Sequence, residues 1–169
     1  MFIYMINKLK VNMKILTYLL ILAGLFLIIS CNSSLDISIE KDKVKQVLYK
    51  YSEAWHSKNI DLFSRLFSND ADMIIFDGNS PERFVGWIAW KERLQKHFSL
   101  FENVDISYED VDIKVSHSGE FSWLSCIANT KYTYDGKPGI MSGLRITWVL
   151  EKRNKNWRIV HAHYSFSKE

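Results

Sequence analysis

The chain has 169 residues and a formal net charge of +3, and its length suffices for one domain of ordinary size. Hydrophobic residues make up 47% and charged residues 24%, a composition that excludes a disordered tail and a collagen-like repeat. The positive excess lies entirely in residues 1–30, because residues 31–169 hold 19 basic and 19 acidic side chains. Without a basic surface there is no counterion release to drive binding, so the sequence predicts no nucleic-acid partner.

An apolar segment near the N-terminus has the layout of a secretory signal. Residues 15–29 form a nearly unbroken apolar run of 15 residues, whereas a helix that spans a bilayer needs about 20. Lysines precede the run, and the small residue Ser30 follows it. The pattern predicts a signal peptide over residues 1–30, with either Met1 or Met13 as the start. A short membrane anchor that stays uncleaved is the alternative.

The residues that close this segment, Ile28-Ile29-Ser30-Cys31, resemble the lipobox of a bacterial lipoprotein. The resemblance implies cleavage before Cys31 and attachment of lipid to that cysteine, with residues 31–36 as the lipidated end and a short tether. It also implies a location in the bacterial cell envelope, as a membrane-anchored lipoprotein that faces the periplasm or the exterior. Residues 37–169 then form the exported domain.

Cys126 is the other cysteine, and it has no partner once Cys31 carries lipid. It lies in an apolar run, and no neighbour in that run would lower its pKa. The sequence therefore predicts a buried structural thiol and a domain without an internal disulfide.

Three amphipathic helices are predicted in the first half of the domain. Residues 42–57 place apolar side chains at helical spacing over about four turns. Ser57 or Asn59 can cap a second, shorter helix. A short apolar strand follows over residues 71–76, and a third helix covers about 87–100. The apolar stripes consist of Val44, Val47, Leu48, Tyr51, Ala54 and Trp55 in the first helix, and of Trp87, Trp90, Leu94, Phe98 and Phe101 in the third.

Alternating hydrophobicity after residue 102 predicts four long strands. A switch of parity near Glu109 predicts a bulge that bends the first of them. Helices followed by antiparallel strands make an α+β domain, in which three N-terminal helices pack on a strongly curved antiparallel sheet. We expect a cone-shaped fold with an aromatic-lined cavity. The predicted strands cover residues 104–115, 121–134, 140–151 and 156–166.

Two sequence patterns, one at each end of the domain, point to a known family. The opening holds Tyr51-Ser52-Glu53-Ala54-Trp55 and Leu66-Phe67-Ser68-Asn69-Asp70-Ala71, and the ending holds Trp157-Arg158-Ile159-Val160-His161-Ala162-His163-Tyr164-Ser165. Together they resemble SnoaL-like domains of the nuclear transport factor 2 superfamily, which includes the ketosteroid isomerases. The resemblance covers about residues 39–167. It implies a conical pocket and often a dimer, but no single activity.

An isomerase of that superfamily needs a carboxylate to move a proton and a neutral donor to hold the enolate oxygen. A match without gaps places the isomerases' oxyanion tyrosine at Tyr51 and their catalytic aspartate at Ile75. Isoleucine cannot carry a proton. Asp77 lies two residues further on, but the turn at Gly78 is expected to leave it at the rim of the pocket. The comparison therefore argues against isomerase chemistry unless Asp77 takes the aspartate's place.

The last two strands are predicted to gather polar side chains on one sheet face. A three-residue turn between these strands would place Arg145 opposite His163. The same register would place Thr147 opposite His161, and a slip of one residue would undo the arrangement. Tyr51 on the first helix would face this group. The predicted ligand-binding residues are Tyr51, Trp55, Trp90, Arg145, Thr147, His161, His163 and Ser165.

Three functions fit such a polar cluster. Arg145 could pair with the acid of a small amphipathic or anionic ligand while aromatic side chains hold its apolar part. His161 or His163 could act as a general base in an isomerase, or in a hydrolase or cyclase of the SnoaL type. The polar residues could also satisfy one another in a structural network. The sequence favours the binding protein, without an established reaction.

No cofactor and no metal site are predicted. The sequence contains no glycine-rich phosphate loop and no nucleophile elbow. His161 and His163 could share a metal, but no third ligand has a matching spacing.

The third long strand carries an apolar stripe on its other face, and this stripe must be covered by protein. Its members are Leu144, Ile146, Trp148 and Leu150. A second copy of the chain is the simplest cover, so the stripe predicts a homodimer. A homodimeric structural or protein-interaction module is the corresponding alternative function.

Overall fold

Three helices and six strands make up the part of the chain that the structure describes. This structure, a computed structural model, describes residues 36–78 and 80–166. The predicted leader, the predicted lipidation site Cys31 and residues 32–35 of the tether lie outside the described residues. Among the residues described, none belongs to a helix that is long and apolar enough to cross a membrane.

The first helix, α1, spans Ile37–His56 and begins five residues before its predicted start. Asp36 is its N-cap, and the carboxylate accepts hydrogen bonds from the backbone N–H groups of Ser38 and Ile39. Apolar periodicity could not reveal this first turn, because the side chain that the turn buries is the carboxylate of Glu40. The cap sets the start of the helix.

The other two helices lie where the sequence predicts them. Helix α2 spans Ile60–Leu66, and the side chain of Asn59 caps it by accepting a hydrogen bond from the N–H of Leu62. Helix α3 spans Gly86–Leu100. Gly86 begins this helix with a φ of 78°, in the left-handed region, and a Cβ there would lie 3.2 Å from the carbonyl oxygen of Ala71. Both constraints favour glycine at this position.

The six strands form one open, mixed sheet. They are β1 Ile74–Phe76, β2 Arg83–Val85, β3 Phe101–Val115, β4 Phe121–Tyr134, β5 Lys137–Arg153 and β6 Asn156–Ser165. Their order across the sheet is β2-β1-β6-β5-β4-β3. The prediction of a wholly antiparallel sheet is corrected at one pair, since β1 runs parallel to β6. Strand β2 was not predicted, because three residues are too few to show a period.

Bulges curve this sheet around the helices. The bulge predicted near Glu109 is confirmed, since the register of β3 against β4 shifts between Glu109 and Asp112. The register of β4 against β5 shifts near Gly143, which has a φ of 75° and donates its N–H to the side-chain oxygen of Asn129. The concave face that results is the one on which the helices pack.

The hydrophobic core fills the space between this concave face and the helices. The ring of Tyr51 on α1 lies at its centre, with ring centroids 5.2 Å from Phe63 and 5.0 Å from Trp148. Cys126 is buried in the same core as predicted, and burial raises the pKa of its thiol to about 12. That thiol stays protonated at neutral pH.

The apolar stripe of β5 belongs to this core, which corrects its predicted role as a dimer surface. Ile146, Trp148 and Leu150 are each at most 2% exposed. Leu144 packs against the same core and is partly buried. The helices cover the stripe, so no second copy of the chain is needed to cover it.

A buried carboxylate ties α1 to the turn between β5 and β6. Glu40 accepts hydrogen bonds from Lys152 at 2.7 Å, from Lys43 at 2.8 Å and from the indole N–H of Trp157 at 2.9 Å. Burial alone would raise the pKa of Glu40, but these three donors outweigh it and lower the pKa to about 2. The ionised form of Glu40 therefore stabilises the fold.

Candidate functional site

A cavity of about 460 Å³ lies between the concave face of the sheet and helices α1 and α3. Its volume is typical of small-molecule sites. Most of its wall is hydrocarbon or aromatic ring. The aliphatic part of the wall consists of Leu100, Val104, Ile106, Ala128, Met141, Leu144 and Ile146.

Leu100 at the end of α3 and aromatic side chains from β3 and β4 form the mouth of the cavity. The ring of Phe101 lies 5.2 Å from that of Tyr132 and 5.4 Å from that of Tyr134. Leu100 and Tyr134 are each 46% exposed, which places this cluster at the solvent end. Gly139 allows the cluster to form, because the ring of Tyr132 lies 2.5 Å from where a Cβ of residue 139 would be.

Two tyrosine hydroxyls mark the inner end of the cavity. Trp148 donates its indole N–H to the hydroxyl of Tyr164 at 3.2 Å, and Tyr164 in turn shares a hydrogen bond with Tyr51. Burial raises the pKa of Tyr51 to about 12, although hydrogen bonds with Tyr164 and Trp55 offset part of this effect. Tyr51 is therefore a neutral hydroxyl at every physiological pH.

A charged pair forms one corner of the cavity. Arg93 on α3 donates from Nε and from Nη2 to Oδ2 of Asp77, each at 2.8 Å. The side chain of Asp77 is only 9% exposed, which corrects the prediction that the Gly78 turn leaves it at the rim. The guanidinium also lies over the ring of Phe84, 5.9 Å from its centroid. The two charges cancel, so this corner is polar but carries no net charge.

His97 lies one turn after Arg93 on the same helix and lines the cavity. Its ring centroid is 5.9 Å from that of Trp55 and 5.7 Å from that of Phe101. Burial lowers the pKa of His97, and the positive charge of Arg93 lowers it further, although Asp77 acts in the opposite direction. The imidazole is therefore predominantly neutral at pH 7.

This shift predicts that the fold weakens in mild acid. The unfolded chain binds a proton at His97 more readily than the folded domain does. The stability of the fold is therefore unaffected by this group above the ordinary pKa of 6.5, and it decreases as the pH falls below 6.5. The melting temperature of the wild type should decrease between pH 7 and pH 5. The variant His97→Gln should lose part of this pH dependence in parallel thermal melts, and an unchanged dependence would contradict the assignment.

The structure separates the predicted ligand-binding residues into two groups. Tyr51, Trp55 and Trp90 line the cavity. The other five lie on the outer face of the sheet, where their neighbours along the strands, such as Ile146 and Tyr164, point to the core. The predicted placement of these five opposite Tyr51 is therefore wrong. They are Arg145, Thr147, His161, His163 and Ser165.

The helices cover the apolar face of β5, so Arg145 and Thr147 face outward. The last hairpin also differs from the prediction in register, which changes the pairs but keeps the five residues on one face. The turn has two residues, Asn154 and Lys155, both with positive φ, instead of the predicted three. A register shift between Val149 and Leu150 adds one more residue to β6. Arg145 consequently pairs with Ser165, and Thr147 pairs with His163. Because the shift reverses the alternation of β6, Trp157 and Ile159 are buried before it, and Ala162 and Tyr164 after it.

Sequence reasoning missed the polar corner of the cavity. Arg93 and His97 lie three and seven residues after Trp90, at the edge of the apolar stripe of α3. A charged residue at helical spacing from a buried tryptophan was the available signal. Within the described ranges, His, Cys, Asp and Glu side chains form no group of three that could hold a metal ion.

A family model of the SnoaL-like domain matches residues 44–169. The chain belongs to the SnoaL-like family. No curated protein matches it in sequence.

Solved structures share the fold of this SnoaL-like domain at low sequence identity. A nuclear transport factor 2-like protein from Salmonella enterica serovar Typhimurium is 18% identical, with a TM-score of 0.71, over 79% of this chain and 95% of its own. A candidate dehydratase from Streptomyces avermitilis is 14% identical, with a TM-score of 0.67, over 78% and 99%. A candidate scytalone dehydratase from Novosphingobium aromaticivorans is 13% identical, with a TM-score of 0.66, over 77% and 85%. At these identities the likeness shows the fold alone.

Proposed function

We propose that this SnoaL-like domain binds a small, uncharged and largely apolar ring compound in its cavity. The observation that carries the proposal is the aromatic-lined cavity of about 460 Å³, whose charged pair, Asp77 and Arg93, is already neutralised within the wall. Burial of apolar ligand surface contributes about 25 cal/mol per Å². A carboxylate would instead lose its hydration beside Asp77 and would find Arg93 already engaged.

The proposal revises the ligand class that the sequence indicates. Arg145 was the predicted partner for an anionic group, and it lies outside the cavity. The cavity offers one guanidinium, that of Arg93, and a carboxylate already accepts hydrogen bonds from it. An uncharged ligand therefore fits this wall better than an anion.

Naphthalene, 2-naphthol and 2-naphthoate test the proposal, with quenching of tryptophan fluorescence as the measurement. Trp55 and Trp90 line the cavity, so a ligand inside it should quench their emission. We expect saturable binding of the two neutral probes and at least tenfold weaker binding of 2-naphthoate. Preference for the carboxylate, or no saturable binding of either neutral probe, would refute the proposal.

Substitutions on the outer face provide the matched control. We expect Arg145→Ala and His163→Ala to bind 2-naphthol with the wild-type dissociation constant, because both side chains point away from the cavity. Isothermal titration of each variant measures the constant. A loss of binding in either variant would indicate that the ligand binds on the outer face.

A proton-transfer enzyme is the second candidate. Asp77 and Tyr51 border the same cavity, and the charge of Asp77 adds to the effects that raise the pKa of Tyr51. Two proteins of the same fold are named as candidate dehydratases. The position of the isomerases' aspartate is nevertheless the fully buried Ile75. Chemical change of a bound ring ketone or alcohol, abolished by Asp77→Asn, would favour the enzyme over the binding protein.

We also propose that the domain is exported and anchored to a membrane through lipid on Cys31. The lipobox-like residues 28–31 support this, together with the short apolar run before them. Metabolic labelling with an alkyne fatty acid should mark the wild type and not Cys31→Ser. Labelling of both proteins, or of neither, would refute lipidation at this residue.

The outer sheet face is the proposed surface for a homodimer. SnoaL-like and related domains often form dimers. Phe121, Trp123 and Phe76 project from this face and are 49%, 51% and 43% exposed. Light scattering after size exclusion should give a dimer for the wild type and a monomer for Trp123→Glu. A monomeric wild type would refute the proposal.

A further inference from the structure

The imidazole of His97 is a polar group of the cavity wall that packs between two aromatic rings. Its ring is held between Trp55, at an interplanar angle of 31°, and Phe101, at 81°. In residues 36–78 and 80–166, no hydrogen bond or ion pair reaches either of its ring nitrogens. Packing against two aromatic rings fixes the ring in place and leaves both nitrogens uncommitted.

The other polar groups at the inner end and corner of the cavity are engaged with protein. Tyr51 and Tyr164 interact with each other, and Tyr164 also accepts a hydrogen bond from Trp148. Asp77 is engaged by the guanidinium of Arg93. The indole N–H of Trp90 has no partner in the described part of the chain, but protein atoms enclose it and leave it no accessible surface. His97 is therefore well placed to bond with a ligand.

We infer that His97 is the polar anchor of the ligand and that it selects a planar ring compound bearing a hydroxyl or carbonyl group. The inference rests on the binding function proposed above and narrows its ligand class. A neutral imidazole has one N–H donor and one nitrogen acceptor, so it can bond with either group. A bare hydrocarbon of the same shape would remove water from both nitrogens without replacing its hydrogen bonds.

The ring contacts of His97 favour a flat ligand. The indole of Trp55 is tilted by 31° against the imidazole, while Phe101 meets it edge-on at the side of the cavity mouth. A planar ring that enters past Phe101 can contact the indole of Trp55 and place a substituent oxygen beside the imidazole. The ligand then buries apolar surface against both aromatic rings, in addition to forming the hydrogen bond.

Paired titrations of 2-naphthol and naphthalene test this inference. The experiment uses residues 32–169, which retain all of the core residues between Val44 and Tyr164. We expect the wild type to bind 2-naphthol about tenfold more tightly than naphthalene, the ratio that one hydrogen bond provides. His97→Phe keeps the ring packing, so it should reduce the ratio to about one without weakening naphthalene.

Two further variants separate recognition from packing. His97→Gln keeps a donor and an acceptor and should retain part of the preference for 2-naphthol. His163→Phe makes the same exchange on the outer face and should retain all of it. Should His97→Phe not fold, the imidazole Hε1 resonance of the wild type provides the readout. It should shift strongly with 2-naphthol and weakly with naphthalene.

The outcomes distinguish this inference from the proposed function. Equal binding of both probes by the wild type, or an unchanged ratio in His97→Phe, would overturn the role of His97 and leave the binding cavity standing. Absence of binding by both probes would overturn the role and the binding function together.

Discussion

Asp77→Asn should reverse the charge preference of the cavity and strengthen the binding of 2-naphthoate about 30-fold. In the wild type, two N–H groups of Arg93 donate to the Asp77 carboxylate, so the positive charge of the guanidinium is already compensated. Asparagine is neutral, and a ligand carboxylate can then become the counter-ion. A charge-assisted hydrogen bond in a sheltered site contributes about 2 kcal/mol, which corresponds to this factor. Isothermal titration at pH 7 measures it.

Two controls accompany this experiment. Asp72→Asn removes a carboxylate that is exposed on the surface and should leave naphthoate binding as weak as in the wild type. Adding Arg93→Met to Asp77→Asn should abolish the gain, because the guanidinium is the group that binds the anion. If the double variant bound naphthoate as tightly as Asp77→Asn alone, another group would have to hold the anion.

Glu40→Ala should lower the free energy of unfolding by about 3 kcal/mol. The substitution removes the carboxylate that contacts both Lys152 and the indole N–H of Trp157. Lys152 is only 15% exposed at its side chain, so its charge would stay largely buried without this partner. Breaking a buried ion pair from one side typically costs about 3–5 kcal/mol. Urea unfolding at pH 7 measures the change, and Asp42→Ala, on the exposed face of α1, should have little effect.

The lowered pKa of Glu40 predicts that the fold loses stability in acid. The pKa of Glu40 lies at about 2 in the folded domain against an ordinary 4.5, so the unfolded chain takes up the proton first. The stabilisation by Glu40 is present above pH 4.5 and is lost as the pH falls towards 2. Glu40→Ala should therefore show a shallower decline of stability over this window. An identical decline in variant and wild type would contradict the ion-pair account.

Much of the fold follows from local patterns in the sequence. The helical stripes of α1 and α3 and the parity switch near Glu109 each produced the predicted element, because each face packs against one core. The first turn of α1 escaped prediction because Glu40 is buried through ion pairs instead of hydrophobicity. The parallel pairing of β1 with β6 could not be predicted from local patterns, because the two strands lie far apart in the sequence.

The site was harder to predict than the fold because it depends on which face of the sheet the helices cover. The helices cover the face of β5 that carries Ile146 and Trp148, so Arg145 lies on the opposite face, away from Tyr51. The bulge in β6 puts His163 on the same outer face. No local pattern distinguishes a turn of two residues from one of three when Asn154 and Lys155 are flanked by the polar side chains of Arg153 and Asn156. Asp77, Arg93 and His97 meet only after β1 and α3 have packed, and their chemistry could not be read from spacing.

Methyl chemical shifts provide the most direct test of where the domain binds its ligand. The methyl groups of Ile106, Leu144 and Ile146 line the cavity, whereas Ile127 and Val149 lie on the outer face. In a ¹³C-methyl titration with 2-naphthol, ring currents should shift the first three resonances and leave the other two unchanged. Shifts confined to Ile127 and Val149 would place the ligand on the outer face and contradict the binding cavity.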